Sequence, residues 1–150
     1  MNSRQKIVAA LVEKFKGIDG TGNYTVNLYS NCLDKQTFWD EVQDFPAICV
    51  VAGQEQREYL PGGFKWGHLG ISIKAYVKDG DDPAKLLEEL LSNLELAIDD
   101  STVLTYGNLP GEETADIRIT NIITDEGLLI PYGVGELSII VQYQVLSSMS

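Results

Sequence analysis

The sequence is poor in the residues that carry chemistry. It holds one histidine and two cysteines in 150 residues, so any Ser-His-Asp or Cys-His arrangement would have to be built on His68. That residue stands in Gly67-His68-Leu69 within a strand pattern, and no nucleophile motif accompanies it. We read it as a structural or exposed histidine and expect no catalytic site. Cys32 and Cys49 are too few for a disulfide framework or a zinc site. Cys49, inside Ala47-Ile48-Cys49-Val50-Val51, reads as a small core residue, whereas Cys32 falls in a loop-like stretch and its state stays open. Basic residues are scarce too: eleven Lys and Arg face 22 Asp and Glu, a net charge of −11. A protein that wraps nucleic acid sets cations against phosphates, so sequence-specific nucleic-acid binding is not expected. Apolar runs are short, as in residues 47–52, well below the roughly 20 residues a transmembrane helix needs, and no membrane partner is expected. The opening Met-Asn-Ser-Arg-Gln-Lys lacks the apolar core of a signal peptide, which predicts a product made in the cytoplasm.

What is present is ordinary globular composition, 44% hydrophobic and 22% charged, of a length that forms one domain over residues 1–150. Residues 3–16 carry Ile7, Val8, Ala10, Leu11 and Phe15 at helical spacing, with Ser3 placed to cap. Residues 24–29 alternate as a short strand with Tyr24, Val26 and Leu28 on one side. Residues 30–46 read as an irregular loop pinned by Phe38, Trp39, Val42 and Phe45. Residues 47–52 form a continuous apolar run and predict a central strand covered on both faces. A polar extended stretch, 54–59, then reaches the Leu60-Pro61-Gly62-Gly63 break, a hairpin or projecting loop.

The clearest signal lies in residues 66–98. Leu69, Ile71, Ile73, Ala75 and Val77 fall on one face of a strand, and Trp66, His68, Ser72, Lys74 and Tyr76 fall on the other. The turn Lys78-Asp79-Gly80-Asp81-Asp82 follows, with Asp81 or Asp82 placed to cap a helix that has Pro83 in its first turn. Leu86, Leu87, Leu90, Leu91, Leu94, Ala97 and Ile98 make a wide apolar stripe, opposed by Glu88, Glu89, Ser92, Asn93 and Glu95. After a polar connection over 99–115, residues 116–123 read as a strand with an alternation slip near Ile122, and 136–145 as a last alternating strand. The order predicts an α+β fold with a largely antiparallel, mixed sheet and two helices packed on one face.

The acidic clusters invite a metal site. Asp79-Gly80-Asp81-Asp82 lacks the spacing and closing glutamate of a calcium loop, and Asp99-Asp100 and Glu112-Glu113 read as solvated turns and caps; no metal or cofactor is expected. The outer face of the 69–77 strand is different. Trp66 and Tyr76 there call for a cover, supplied either by the chain itself, which has few spare elements, or by an oligomer interface.

Taken together, these segments resemble the tail terminator, or tail-to-head joining, proteins of long-tailed bacteriophages. The resemblance spans almost the whole chain. It comprises the N-terminal helix, Phe45-Pro46-Ala47-Ile48-Cys49-Val50 leading to Gly53 and Glu55, and the 58–76 hairpin. It continues through Asp81-Asp82-Pro83 into the leucine-rich helix, and then the 117–123 and 135–145 strands. It is a likeness of order and hydrophobicity, not of a signature motif. It implies a non-enzymatic virion protein forming a ring, usually of six copies, that caps the tail tube and ends its polymerisation. The ring meets the head connector or neck protein and passes DNA through its centre. On that reading a homo-oligomer interface is expected at Tyr59, Phe64, Trp66, His68, Lys74 and Tyr76. Asp79, Asp81 and Asp82 are candidates for an acidic channel lining that repels phosphate. A charged residue at Trp66 or Tyr76 should then weaken assembly more than the protomer. The rival readings are another phage neck or head-completion protein, or a small acidic metal-dependent α+β domain.

Overall fold

The computed structural model describes residues 1–100 and 102–146. Ser101, inside the polar connection read over 99–115, and residues 147–150 lie outside the described residues. The elements follow in the order α1 (Ser3–Phe15), β1 (Cys32–Leu33), β2 (Ala47–Tyr59), β3 (Lys65–Lys78), α2 (Pro83–Asp100), β4 (Thr114–Thr124) and β5 (Tyr132–Gln144). The strands make one sheet in the order β1-β2-β3-β5-β4. β1 runs parallel to β2, and the other pairings are antiparallel. This is the α+β architecture expected. Ile48, Val50, Leu69, Ile71, Ile73, Leu137, Ile139 and Val141 from one sheet face share a single core with Ile7, Leu11 and Phe15 of α1 and the leucines of α2.

α2 forms for the reasons its sequence announces. Asp82 Oδ1 accepts the Lys85 amide at 3.1 Å, and Pro83 occupies a first turn where its missing N–H costs nothing. Leu87, Leu90, Leu91 and Leu94 are buried against the sheet, each stabilising by about 2 kcal/mol relative to exposure. α1 starts at Ser3 as expected, but Asn2, not Ser3, is the cap, in a reciprocal capping box with Gln5.

Three segments depart from the sequence reading. Residues 24–29 bury Val26 and Leu28 but make only an isolated bridge, Asp19↔Asn27, because the amides of residues 25 and 26 are taken by a helix side chain: Asn93 Oδ1 accepts from Thr25 N at 2.9 Å and Val26 N at 3.1 Å. Asn93, read on the polar side of α2, is therefore buried, and its amide nitrogen donates to Thr25 Oγ1 and Glu89 O. Glu112, read as a solvated turn residue, is buried; it pairs with Lys6 of α1 at 2.7 Å and accepts the Leu109 amide. Finally β5 begins at Tyr132 rather than at residue 136, since Gly133 and Gly135 hide its apolar alternation. A Cβ on Gly133 would lie 2.7 Å from Val77 Cγ2, so the close approach of β3 and α2 requires glycine there.

Asn93→Leu leaves two backbone amides unsatisfied and should lower unfolding stability by about 2–4 kcal/mol in urea melts, with Asn93→Asp losing less. The Lys6 hydrogen bond holds the Glu112 carboxyl below the ordinary glutamate range. Its contribution is thus complete above about pH 5 and fades as pH falls below about 4. Thermal melts of Glu112→Gln across that window should show a shallower acid dependence than the parent.

Candidate functional site

The sheet face away from the helices is divided in two. At its lower end it is covered by the chain itself, through residues 34–46. Tyr76 Oη donates to Thr37 O at 2.6 Å, and Cys49 Sγ lies 3.8 Å from the same oxygen. Lys74 Nζ donates to Gln36 Oε1 at 3.0 Å. Trp39 and Phe45 stack on Tyr132 with ring centroids 5.0 and 5.5 Å apart, while Phe38 is left exposed. Tyr76 is only 2% exposed, and burial, with the Cys49 thiol beside it, pushes its phenol up from the ordinary tyrosine value. This corrects the expectation that Tyr76 projects toward a neighbour. The loop read as pinned by aromatic anchors supplies the cover, through Trp39 and Phe45.

The upper end is open. Past the irregularity between Ala52 and Glu55, β2 continues with β3 as an arm whose turn is closed by Leu60 N donating to Phe64 O at 2.8 Å. Gln56 and Glu58 share the outer face with His68 and Trp66, their register partners. His68 Nε2 lies 3.3 Å from Glu58 Oε1. A shallow trough of about 620 Å3 runs across this half, lined by Gln56, His68, Ser72, Ser138 and Ile140 among others. At the tip Tyr59 and Phe64 are 69% and 56% exposed, far more than a protomer gains by leaving aromatics in water. Tyr59 belongs to the opposite face from Trp66, where Lys65 Nζ sits 5.7 Å over its ring.

The arm is braced on the helix side. Tyr143 Oη donates to Glu55 Oε1 at 2.6 Å, and Arg57 closes onto the other oxygen of the same carboxylate. A Cβ on Gly67 would lie 2.6 Å from the Tyr143 ring, so this crossing requires glycine. Burial, followed by the Glu55 hydrogen bond, raises the Tyr143 phenol above its ordinary value. Cys32 and Cys49 are both free and buried, on adjacent strands, and burial pushes the Cys32 thiol up to about 11. It is held as a thiol at neutral pH.

The sequence-selected residues thus fall into three places. Tyr59, Phe64, Trp66 and His68 gather on the arm. Lys74 and Tyr76 lie under the 34–46 cover. Asp79, Asp81 and Asp82 sit at the far end of β3, roughly 40 Å from Trp66 at about 3.3 Å per residue. There Asp79 Oδ1 accepts the Asp81 amide and Asp82 caps α2. Among the described residues no group of three His, Cys, Asp or Glu side chains is placed to hold a metal ion. An apolar patch also went unnoticed in the sequence: Ile123, Leu128 and Ile130 are exposed at the β4–β5 turn. Its signal was Leu128-Leu129-Ile130, three apolar residues inside what read as a turn between Gly127 and Pro131.

Residues 1–149 match the family model of the bacteriophage tail tube terminator protein. The chain belongs to this family. It is 36% identical over 154 residues to the tail tube terminator protein p142 of Escherichia phage T5, covering 96% of this chain and 95% of that one. A chain from the virion of a native gene transfer agent particle shares the fold at a TM-score of 0.54. Its identity is 10%, and the match covers 93% of this chain and 95% of that one. This terminator is accordingly a structural protein of the phage virion tail.

The buried and open halves of the outer face should separate on mutation. Tyr76→Phe, which loses the bond to Thr37 O, should cost about 1 kcal/mol of protomer stability. Tyr76→Glu buries a charge and should unfold the protomer. Trp66→Glu, measured in the same denaturant melts, should leave its stability within about 1 kcal/mol of the parent.

Proposed function

We propose that this terminator acts without enzymatic chemistry, as a ring of copies, six on the family reading, that caps the tail tube. The ring ends polymerisation of the tube protein, presents its other end to the head connector or neck protein, and lets DNA pass through its centre. The observation that carries this reading is the whole-chain family match, which leaves no element of the fold outside the terminator domain. The arm supports the ring itself. Tyr59, Leu60 and Phe64 are exposed on a hairpin that extends beyond the core, as a heterologous contact reaching a different surface on the next copy requires. The second apolar patch, at Ile123, Leu128 and Ile130, lies at the opposite end of the sheet, so the protomer offers apolar contacts at both ends, as a joining piece needs.

The acidic turn of Asp79, Asp81 and Asp82 is proposed as part of the channel wall, where the net charge of −11 would keep sliding phosphates from sticking. A cryo-EM map whose channel wall is basic or neutral would remove that assignment and leave the ring intact.

Negative-stain microscopy with native mass measurement tests the ring. Annular particles of about six times the 16.5 kDa protomer mass are expected, alone or on added tail tubes. Phe64→Asp and Trp66→Glu should each reduce ring formation at least tenfold, with circular dichroism unchanged. A strict monomer at high concentration that also fails to bind tube ends would overturn the reading.

A further inference from the structure

Both edges of the sheet carry unsatisfied strand. β1 pairs with β2 only at Cys32↔Ile48 and Leu33↔Cys49, so among the described residues β2 has no strand partner on that side from Ala52 to Tyr59, although the Arg4 side chain of α1 donates to Gly53 O within that stretch. At the other side residues 102–106 pair with the start of β4, where Thr105 bridges Glu113 and Thr114 N donates to Leu104 O at 2.9 Å; from Asp116 to Thr124 β4 has no outer strand among the described residues. Open edges are templates for strand addition, and proteins that must stay apart guard them with lysine, proline or unbalanced charge. Neither β2 nor β4 contains a lysine or a proline. Most of the charges they carry are paired, Arg57 with Glu55 on β2 and Arg118 with Asp116 at 2.6 Å on β4, which leaves Glu58 as the one unbalanced charge of the two strands.

The two edges are also matched to each other. β2 and β3, β3 and β5, and β5 and β4 are each antiparallel, so β4 runs opposite to β2. A rotation axis along the strands preserves their direction, which sets β4 of one copy antiparallel to β2 of the next. The rows of the sheet place Ala52, Ile71, Ile139 and Ile119 at one height, and one irregularity of each edge starts at that row, Ala52/Glu55 on β2 and Ile119/Asn121 on β4; β4 has a second at Thr114/Asp116. Residues 52–56 of the open half of β2 stand level with the open residues 116–119 of β4, and where β1 blocks β2, β4 has already passed its Ile119/Asn121 irregularity. Finally, a groove of about 450 Å3 lies beside the β2 edge at Val51 and Ala52, walled by Gln5, Val8 and Ala9 of α1, on the line that β1 leaves at Asp34.

We infer that the open edge of β2 receives the β4 edge of a second copy of this chain, antiparallel, so that the sheet continues from protomer to protomer. This rests on the ring reading above and names the contact that closes it. Ile48 N donates to Asn31 O across the β1 side, so by strand alternation the Ala52 N–H points the same way, into the open groove. That amide is available for the neighbour.

Hydrogen exchange on assembled rings, compared with the same protein diluted to protomers, tests the pairing. Peptides covering 50–59 and 114–124 should each slow at least tenfold on assembly, while the α2 peptide stays unchanged. Ala52→Pro removes an outward N–H without touching the β2–β3 ladder, and should cut ring formation at least tenfold, while Ala52→Val should assemble normally. If Ala52→Pro unfolds the protomer, the exchange experiment on the parent decides alone. Rings that form with neither edge slowed, or with only one, would overturn the pairing and leave the ring reading standing. A protein that forms no rings on its own or on tube ends overturns both.

Discussion

The interaction on which the rest of the structure hangs is the ladder between β3 and β5. It runs from Trp66↔Gln144 to Lys78↔Tyr132 without a shift in register, whereas the flanking ladders, β2 with β3 and β4 with β5, are each interrupted. An unbroken ladder keeps alternation in phase, so every second residue of both strands meets α2 and α1. One slip here would turn Leu69, Ile71, Ile73, Leu137, Ile139 and Val141 outward together. The flanking strands are free to bulge because this spine is not.

That spine is also why so much of the fold was legible. β3 and α2 carry clean periods of two and of 3.6 over long windows, and their packing follows without knowledge of any distant contact. What escaped the sequence depends on partners far along the chain. Asn93 looks like a solvent residue until residues 24–26 are laid across it, and Glu112 looks like a turn until Lys6 arrives from α1. The cover over Tyr76 was illegible for a related reason: residues 34–46 have no period, and their role rests on backbone oxygens such as Thr37 O, which no side-chain pattern encodes. At the candidate surface the aromatics were visible as residue types. Which of them a protomer hides was not, because Trp66 and Tyr76 share one strand face and differ only in what lies above it.

The division of that face gives the two halves different physical tasks. Below, Lys74, Tyr76 and Cys49 find partners in the 34–46 segment, so Lys74 and Tyr76 are spent inside the protomer. Above, the arm is braced from behind by Tyr143, Glu55 and Arg57 and left bare in front. A hairpin with no core of its own is marginal in water, and the brace on one side stiffens the arm for the contact proposed on the other.

Edge pairing carries a hazard that the fold itself answers. A heterologous contact that repeats without closing makes a filament, and a flat sheet with two receptive edges is the shortest route to one. Closure requires that each added copy turn by a fixed angle, and bulges bend the strand that holds them and increase its twist. In this chain both edges are bulged, β2 at Ala52/Glu55 and β4 at Ile119/Asn121 and Thr114/Asp116; the first two start from one row of the sheet, Ala52–Ile71–Ile139–Ile119, while the spine between them is straight in register. The devices that usually keep edges from pairing at all would here set the angle at which they pair. The short β1 adds a stop: by occupying β2 at Ile48 and Cys49 it limits the receptive length to the upper half and fixes where along the axis the neighbour must sit. On the proposed pairing, curvature and register would both come from the protomer, and the bulges that bend its edges would favour a closed ring over a fibre.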